Sequence, residues 1–461
     1  MKKPKLYVLI LCQIIMVSMV VLVSTSYTLD QVPLLNSKYT NSKISISGIP
    51  IISWDANGIV TCDFTAEQEW PRICSDGAGG VIIAWNDYRS TSDWDVYAQR
   101  FDSNGVAKWT TNGKAISTPG SGNQYEVEIC SDGSGGAIIC WYDGRDSITL
   151  GSDIYAQKVD SNGDPQWTVN GIPICNQSDN QDYPDICSDG AGGAIITWID
   201  DRAGASNGNV YAQWVDSNGD LKWDVNGTLV CNASNQQKFT MNYGPNICSD
   251  GAGGAIITWI DERLGSTSDN IYAQRINSSG QAHWTANGVP ICINNTAQNE
   301  PRICSDGAGG AIIVWEDPRN GGAANFDIYA QRIDSTGQIR WIANGTPICN
   351  YTDGQEDPNI CSDEAGGAII TWVDDRDNVN DVYAQKMNSE GVEQWTLNGT
   401  AIRKKTVSGT SLPVICSDGY GGAFIVYRDY NATEFCSDVY LQCINSNGEI
   451  QDSLNGTLIC G

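Results

Sequence analysis

The sequence predicts an all-β protein, a seven-bladed β-propeller of four-stranded antiparallel blades. A similar unit recurs seven times between Ile73 and the C-terminus, at a spacing of roughly 55 to 60 residues, far longer than a helical hairpin repeat. Each unit holds four short runs rich in Ile, Val, Tyr or Trp, bounded by Gly, Asn or Asp. Sheets this small bury both faces by packing side by side around an axis.

The third unit illustrates the order of the strands. We predict strands over residues 184–188, 194–200, 210–216 and 222–231. The first two runs are joined by Asp-Gly-x-Gly-Gly and the last two by Asp-Ser-Asn-Gly. Glycine and asparagine accept the positive φ angles of tight hairpins. Each unit is therefore expected to be a four-stranded meander.

Recurrent tryptophans predict the core between the blades, because large aromatic side chains at fixed positions supply packing area. A role as sugar-binding platforms is the alternative. Those in the second strand are Trp85, Trp141, Trp198, Trp259, Trp315 and Trp372, and those in the fourth are Trp54, Trp109, Trp167, Trp223, Trp284, Trp341 and Trp395.

The number of fourth strands exceeds the number of complete units by one. An extra copy, Trp54-Asp55-Ala56-Asn57-Gly58, precedes the first unit, and the last unit departs from the pattern at Tyr427, Asn431 and Asp452. We expect the N-terminal copy to close the ring by joining the last blade.

The first residues have the features of an export signal. Three lysines among the first five residues precede an apolar run over residues 6–23. We predict that residues 1–26 form a helical signal peptide cleaved after Ser26, or a retained membrane anchor, because the run just reaches bilayer-spanning length. Residues 27–51 are expected to be a polar stalk and residues 52–461 the propeller. The protein is then secreted or anchored at the cell surface with the propeller outside, and Asn-x-Ser/Thr sequons such as that at Asn176 make glycosylation an expectation.

The cysteines favour disulfides in that compartment. Apart from Cys12, sixteen of the 17 cysteines remain, an even number. The alternative is that they are small buried apolar residues. The candidates for pairing are Cys62 with Cys74, Cys130 with Cys140, Cys175 with Cys187, Cys231 with Cys248, Cys292 with Cys304, and Cys349 with Cys361.

Charge and ligand types exclude several classes of protein. The net charge is −27 with no basic stripe, which argues against nucleic acid as a partner. There is no Cys-x-x-Cys motif and His283 is the single histidine, so zinc is not expected. We predict no cofactor, although the acidic surface leaves room for a structural or ligand-bridging cation such as calcium.

The loops place the expected binding site. Short uniform turns share one face, while the second-to-third loops and the connections between blades, which vary, share the other. Variable loops on a rigid scaffold usually carry binding, and aromatic residues beside carboxylates and arginines suit a sugar or peptide ligand. The rim residues predicted to bind are Trp70, Arg72, Tyr125, Glu128, Tyr183, Asp185, Tyr243, Asn246, Arg302 and Asn359.

A Trp-x-Asp-x-Arg segment recurs in six units, for example at Asp200 and Arg202. Catalysis needs one differentiated site, whereas a group repeated six times is more simply a structural ion pair. We therefore predict that these residues stabilise the blades.

The segment from Ser188 to Trp198, Ser-Asp-Gly-x-Gly-Gly-Ala-x-Ile-x-Trp, resembles the Asp-box hairpin of sialidase-like propellers. The whole unit, with its Tyr-Ala-Gln strand, is similar to tandem repeats of exported microbial proteins. The resemblance implies a propeller with structural hairpins. The sialidase catalytic set, an arginine triad with a Tyr/Glu pair and an Asp, has no unambiguous counterpart here.

The near-perfect repetition favours an extracellular, non-enzymatic binding or scaffold protein, with a glycan or protein ligand on the variable face. The alternative is a propeller glycoside hydrolase or polysaccharide lyase, sialidase-like in its fold. Such an enzyme would use rim carboxylates to cleave a glycosidic bond. The residues concerned would be Glu126, Glu128 and Asp185 with Tyr183.

Overall fold

The computed structural model describes residues 6–7, 59–117, 122–145, 151–204, 208–238, 244–265, 269–321, 325–404, 410–431, 436–451 and 456–460. Every regular secondary-structure element within these ranges is a β-strand. No helix long and apolar enough to cross a membrane is found among these residues. The expected signal or anchor helix falls outside them, except for Leu6–Tyr7, which form the short strand β1. A helix in that segment is therefore without support.

The predicted architecture is confirmed: seven blades of four-stranded antiparallel sheet follow one another along the chain. A short strand, β2 (Val60–Cys62), precedes them. Blade 1 contains β3 (Gln68–Ser75), β4 (Val81–Asp87), β5 (Asp95–Phe101) and β6 (Lys114–Ala115). Blade 2 contains β7 (Gln124–Ser131), β8 (Ala137–Asp143), β9 (Asp153–Val159) and β10 (Ile172–Cys175). Blade 3 contains β11 (Gln181–Ser188), β12 (Ala194–Asp200), β13 (Asn209–Val215) and β14 (Thr228–Cys231).

The first strand of blade 4 is described in two pieces that both pair with the second strand. This blade contains β15 (Gln237–Lys238), β16 (Asn246–Ser249), β17 (Ala255–Asp261), β18 (Asn270–Ile276) and β19 (Val289–Cys292). Blade 5 contains β20 (Asn299–Ser305), β21 (Ala311–Asp317), β22 (Asp327–Ile333) and β23 (Thr346–Cys349). Blade 6 contains β24 (Gln355–Ser362), β25 (Ala368–Asp374), β26 (Asp381–Met387) and β27 (Thr400–Arg403). Blade 7 contains β28 (Thr410–Ser417), β29 (Ala423–Asn431), β30 (Cys436–Ile444) and β31 (Thr457–Cys460).

The fourth strands are shorter than predicted. In blade 3 the strand covers Thr228–Cys231 instead of starting at residue 222. A turn intervenes, in which Asn226 and Gly227 adopt φ angles of 63° and 94°. Such left-handed residues interrupt a strand, so the Trp-x-x-Asn-Gly pattern marks a turn instead of strand backbone.

The Ser-Asp-Gly-x-Gly-Gly segment forms the tight turn between the first two strands. In blade 1, Asp76 Oδ1 accepts hydrogen bonds from the backbone N–H groups of Ala78 and Gly80, at 2.8 and 2.7 Å. A Cβ atom on Gly80 would lie 2.2 Å from the carbonyl oxygen of Phe101. Only glycine fits at that position, which explains why the sequence repeats it.

The Trp-x-Asp-x-Arg segment forms a buried clamp, as predicted. In blade 3, Asp200 Oδ1 accepts from Arg202 Nε at 2.7 Å, and Asp200 Oδ2 accepts from Trp198 Nε1 at 2.8 Å. Arg202 also donates to the carbonyl of Asn226 at 2.8 Å and lies 4.0 Å above the ring of Tyr211. One arginine thus holds the second strand, the third strand and the start of the fourth. The equivalent Asp–Arg pairs are Asp87–Arg89, Asp143–Arg145, Asp261–Arg263, Asp317–Arg319 and Asp374–Arg376.

Blade 7 keeps the clamp by a different route. Asn431 stands where the other blades have arginine. Arg403, on the fourth strand of blade 6, instead forms an ion pair with Asp429. Both side chains are buried, at 3% and 4% exposure. A guanidinium from the neighbouring blade therefore replaces the missing one.

Six hydrophobic clusters join consecutive blades from the first to the seventh. The second-strand tryptophans are fully buried in blades 1 to 6, which confirms their role as core. The six described tryptophans of the fourth-strand set, from Trp109 to Trp395, reach across to the next blade. Trp109 Nε1, for example, donates to the carbonyl of Ser161 at 3.0 Å.

The expected ring closure by the N-terminal copy is wrong. Blade 7 is completed by its own C-terminal strand, Thr457–Cys460. The strand Val60–Cys62 pairs instead with Leu6–Tyr7. Its Cys62 Sγ lies 3.4 Å from Arg89 of blade 1, the position that Cys175 of blade 2 occupies beside Arg202 of blade 3. Residues 54–58 lie outside the described residues, and Cys62, which follows them, contacts blade 1.

The predicted disulfides are also contradicted, because all twelve candidate cysteines are free thiols. The fourth-strand residue Cys175 belongs to the core between blades 2 and 3, whereas Cys187 packs in the core between blades 3 and 4. The sheet of blade 3 separates them. In blade 2, Cys130 lies opposite Ile138, and Cys140 lies opposite Glu128, so those thiols are offset along the strands.

Removing the clamp arginine tests its structural role. We expect Arg202→Ala to lower the free energy of unfolding by about 3–5 kcal/mol, because it leaves the fully buried Asp200 without its cation. Urea unfolding would measure this. Arg340→Ala is the matched control, since its pair with Asp334 is 55% exposed on the arginine side and should contribute less than about 1 kcal/mol. Equal losses would contradict the clamp.

A second prediction concerns Asp95, the first residue of the third strand in blade 1. It is fully buried, neither carboxylate oxygen completes a hydrogen bond among the described residues, and burial, followed by the nearby Asp93, raises its pKa to about 7. Blades 3 and 4 have asparagine there, at Asn209 and Asn270. Because the folded pKa exceeds the unfolded value, the wild type loses stability as the pH rises from about 4 to 7.

We therefore expect Asp95→Asn to raise the melting temperature by a few degrees at pH 8 and to leave it nearly unchanged at pH 4. Thermal unfolding across this range measures the difference. A variant that is less stable than the wild type at pH 8 would show that Asp95 is not a buried neutral acid.

Candidate functional site

The first strands of blades 1 to 3 and 5 to 7 each contain a β-bulge near the rim. In six blades the register shifts there, and a residue other than glycine adopts a left-handed conformation with φ between 49° and 57°. These residues are Trp70, Glu126, Tyr183, Glu300, Asp357 and Leu412. Bulges re-aim side chains, and strained backbone of this type concentrates at functional sites. The bulge residue is thus a position where the repeat presents a different side chain in each blade.

Aromatic side chains form a continuous surface on blades 1 and 2. Trp70, which is 48% exposed, lies with its ring centroid 6.3 Å from that of Trp94 and 6.0 Å from that of Tyr125. The rings of Tyr88 and Trp94 are tilted to each other with centroids 5.2 Å apart, and the ring of Tyr142 lies 5.9 Å from that of Tyr125. Exposed aromatic faces of this kind bind the apolar faces of sugar rings and other flat ligands.

Two carboxylates lie beside this surface. Glu126 Oε2 accepts a hydrogen bond from the backbone N–H of Tyr183 at 2.7 Å. Burial, reinforced by the charges of Asp182 and Glu128, raises the pKa of Glu126 to about 7. Asp182 accepts from the hydroxyl of Ser152 at 2.7 Å, and burial raises its pKa to about 6. Both acids are poised to exchange protons near neutral pH.

The two other carboxylates of this sector, Glu128 and Asp185, lie further along the same first strands. Glu128 contacts Arg72 at 2.6 Å, and burial raises its pKa while Arg72, and then Arg302, oppose that effect. Asp185 accepts from the backbone N–H groups of Ile186 and Ile247, at 2.8 and 3.1 Å. Burial, followed by the charge of Glu128, raises the pKa of Asp185 to about 7. Glu128 is the member of this group in direct contact with a cation.

The structure brings six of the predicted rim residues into this sector, on blades 1 to 3: Trp70, Arg72, Tyr125, Glu128, Tyr183 and Asp185. The other described ones lie on the first strands of blades 4 to 6. Asn246 donates to the carbonyl of Gly244 at 3.2 Å, and Asn359 accepts from the N–H of Ile360 at 2.9 Å. Arg302 influences Glu128 from across the channel. Tyr243 lies outside the described residues.

Sequence reasoning missed Trp94, Tyr88 and Tyr142 as members of the site. Trp94 comes from the second-to-third loop of blade 1, and its backbone carbonyl accepts from the N–H of Gln124 in blade 2 at 2.8 Å. The same bond links Ser152 to Gln181 in the next pair of blades. Aromatic residues flanking the variable loops were the signal that could have identified them.

No protein-family model and no curated protein matches this chain. Solved structures do match. A puromycin hydrolase mutant has 11% identity and a TM-score of 0.49 over 85% of this chain, which spans only 54% of that enzyme. An ulvan lyase of polysaccharide lyase family PL25 has 9% identity and a TM-score of 0.48, over 81% of this chain and 92% of the other. An α-L-arabinanase from Penicillium chrysogenum has 12% identity and a TM-score of 0.42 over the same shares.

The neighbours named here are enzymes, and the prediction of a non-enzymatic scaffold has no support among them. That prediction rested on the absence of a differentiated site. The rim of blades 1 to 3 is such a site, because its aromatic surface and its four carboxylates differ from blade to blade. With TM-scores below 0.5, no residue role passes from these proteins to this chain.

Trp70 offers a direct test of ligand binding at the rim. We expect Trp70→Ala to weaken binding of a polysaccharide retained by the wild type about tenfold, which corresponds to the roughly 1.4 kcal/mol typical of one lost aromatic contact. Isothermal titration calorimetry measures the change. Tyr420→Ala is the control, because Tyr420 is a similarly exposed aromatic residue, at 54%, on the opposite face. A loss confined to Tyr420→Ala would place binding elsewhere.

Proposed function

We propose that the protein is a glycan-cleaving enzyme that hydrolyses glycosidic bonds at the rim of blades 1 to 3. The observation that carries this proposal is a group of four carboxylates with raised pKa values beside an exposed aromatic surface. Glycoside hydrolases generally use two carboxyl groups, one protonated and one ionised. The resemblance of the hairpins to those of sialidase-like propellers is consistent with a glycan substrate, and export would bring the enzyme to extracellular polysaccharides.

Glu126 is the proposed general acid. Its pKa of about 7 keeps it largely protonated in mildly acidic solution. It occupies the bulge position of β7, with a left-handed φ of 52°, next in sequence to Tyr125 of the aromatic surface. There it would donate its proton to the glycosidic oxygen as the bond breaks.

Glu128 is the proposed second carboxylate. Burial raises its pKa, but the contact with Arg72 at 2.6 Å opposes that shift and stabilises the ionised form, which is required of a base or nucleophile. It would remove a proton from water or attack the anomeric carbon. In either case one water molecule is consumed, and a new reducing end and a free hydroxyl group are released.

Hydrolysis fits these residues better than elimination with Tyr183 as the base. Burial, followed by the charges of Glu126 and Asp182, raises the pKa of Tyr183 to about 12. A tyrosine in that state rarely loses its proton at neutral pH. The carboxylates are therefore the better-suited catalytic groups.

Replacing the proposed acid tests the mechanism. We expect Glu126→Gln to lower kcat by about 10²–10⁴-fold with little change in KM, because the amide keeps the shape of the side chain and cannot donate the proton. Product release from a cleaved polysaccharide, measured as reducing ends, gives both constants. Wild-type kcat/KM should also fall tenfold per pH unit above about pH 7, as Glu126 ionises.

Glu390→Gln is the control for this experiment. Glu390 lies in the third-to-fourth turn of blade 6, on the opposite face, so its loss should leave activity unchanged. Full activity in Glu126→Gln, or an unchanged alkaline limb of the pH profile, would contradict the role proposed for Glu126.

A further inference from the structure

The charges around the aromatic surface are strongly unequal. The first strands of blades 1 to 3 carry a single basic residue, Arg72, and five acidic ones: Glu69, Glu126, Glu128, Asp182 and Asp185. Glu69 is exposed and directly precedes Trp70 in the sequence. Glu67 is exposed as well, and its carbonyl oxygen accepts a hydrogen bond from the N–H of Tyr88 at 2.9 Å. A ligand on the aromatic surface therefore meets acidic side chains from three blades.

The two arginines of the rim are both engaged by carboxylates of the protein. Arg72 Nε donates to Glu128 Oε1 at 2.6 Å. Arg302 lies on the first strand of blade 5. Burial raises the pKa values of Glu300 and Asp357, and the charge of Arg302 opposes both shifts. These guanidinium groups thus compensate acidic side chains of the rim itself, at the expense of any negatively charged ligand.

A carboxylate or sulfate group on a sugar is therefore disfavoured at this rim. Such a group would lose its water of hydration on binding, and that loss is costly unless a cation pairs with the group. Exposed Glu69, beside Trp70, would repel it. The net charge of −27 would also slow the approach of a negatively charged chain.

A positively charged sugar is unsuitable for a different reason. Glu126 must hold a proton in order to act as the general acid. An ammonium group near this side chain would favour the ionised carboxylate and so lower its pKa. Glu126 would then lack the proton that the glycosidic oxygen needs. An uncharged sugar leaves the acid in the state that hydrolysis requires.

We propose that the substrate of the rim of blades 1 to 3 is a neutral polysaccharide, and that the acidic side chains around Trp70 exclude polysaccharides with carboxylate or sulfate groups. This inference rests on the proposed hydrolytic function, because it names the substrate class of the same site. The apolar faces of neutral sugar rings pack on exposed aromatic side chains such as Trp70. Their hydroxyl groups donate hydrogen bonds to carboxylates without adding charge.

The test uses the full chain and matched forms of one polysaccharide. A neutral polysaccharide that the wild type cleaves or retains is carboxymethylated, and part of the product is converted to its methyl ester, which is similar in size but uncharged. At an ionic strength of about 0.01 M, where the screening length is about 30 Å, we expect kcat/KM or the association constant to be at least about tenfold higher for the ester. At about 1 M the screening length is only about 3 Å, and the two values should agree within about threefold.

Reversing the charge of Glu69 tests whether the rim causes the exclusion. We expect Glu69→Lys to reduce the preference for the ester at least about threefold, because a positive charge replaces a negative one beside Trp70. Glu390→Lys is the matched control, since it makes the same change of charge at an exposed turn on the opposite face and should leave the preference unchanged. Equal reductions in the two variants would overturn the role of the rim. If Glu69→Lys fails to fold, Glu69→Gln provides the same comparison against Glu390→Gln.

The outcomes separate this inference from the proposed function. Preferential cleavage of the carboxymethyl form, or of a natural polyuronate, would overturn the inference and leave hydrolysis at the rim intact. Retention of the neutral form without any product would support the inference and contradict hydrolysis. Absence of both binding and cleavage with every neutral polysaccharide tested would contradict both.

Discussion

The structure depends above all on the buried Asp–Arg clamp at the end of each second strand. In blade 3, one guanidinium joins Asp200, the carbonyl of Asn226 and the ring of Tyr211. Cys175 of the preceding blade lies 3.1 Å from the same group. A blade is therefore tied internally and to its neighbour at one point. Blade 7 lacks the arginine and obtains it from Arg403 of blade 6, which indicates that the charge itself is needed, whichever strand supplies it.

The clamp lies at the end of the second strand, where the variable loops begin. Residues that stabilise the fold and residues that carry function therefore lie on opposite sides of the clamp. On the side of the clamp that faces the short turns, the repeated turns and tryptophans form a uniform core. On the loop side of the clamp, six of the first strands bend at a bulge whose left-handed residue costs about 1–3 kcal/mol. Because the core is rigid, that strain can be maintained while the side chain differs between blades. Trp70, Glu126 and Tyr183 make one sector aromatic and acidic, whereas Glu300 and Asp357 make another purely acidic. The proposed hydrolytic site uses this backbone feature.

The fold was largely predictable from the sequence, because its period, its glycine turns and its tryptophan positions all specify the same blade. The disulfide prediction failed for a geometric reason. Cysteines such as Cys175 and Cys187 are near in sequence but face opposite sides of one blade, and the alternation of side chains across a sheet decides this. Ring closure was misjudged because the degenerate last unit still forms its own fourth strand.

The candidate site was predictable only in part. Its first-strand residues follow from the repeat register, which places Glu128 and Asp185 at equivalent positions. The bulge was not visible, since a left-handed φ at a residue such as Glu126 leaves no mark in composition. Trp94 approaches the rim from a second-to-third loop, where contacts across blades determine proximity. The interpretation as a scaffold arose because repetition in the core concealed this differentiation at the rim.

The most direct measurement is to incubate the purified wild-type chain with a panel of neutral and acidic polysaccharides and to analyse the products chemically. If the enzyme hydrolyses the glycosidic bond, we expect new reducing ends without unsaturated sugars, because water is added across the cleaved bond. Unsaturated ends would indicate elimination and contradict the assignment of the carboxylates. Retention of a polysaccharide without any product would contradict an enzymatic role for the rim of blades 1 to 3.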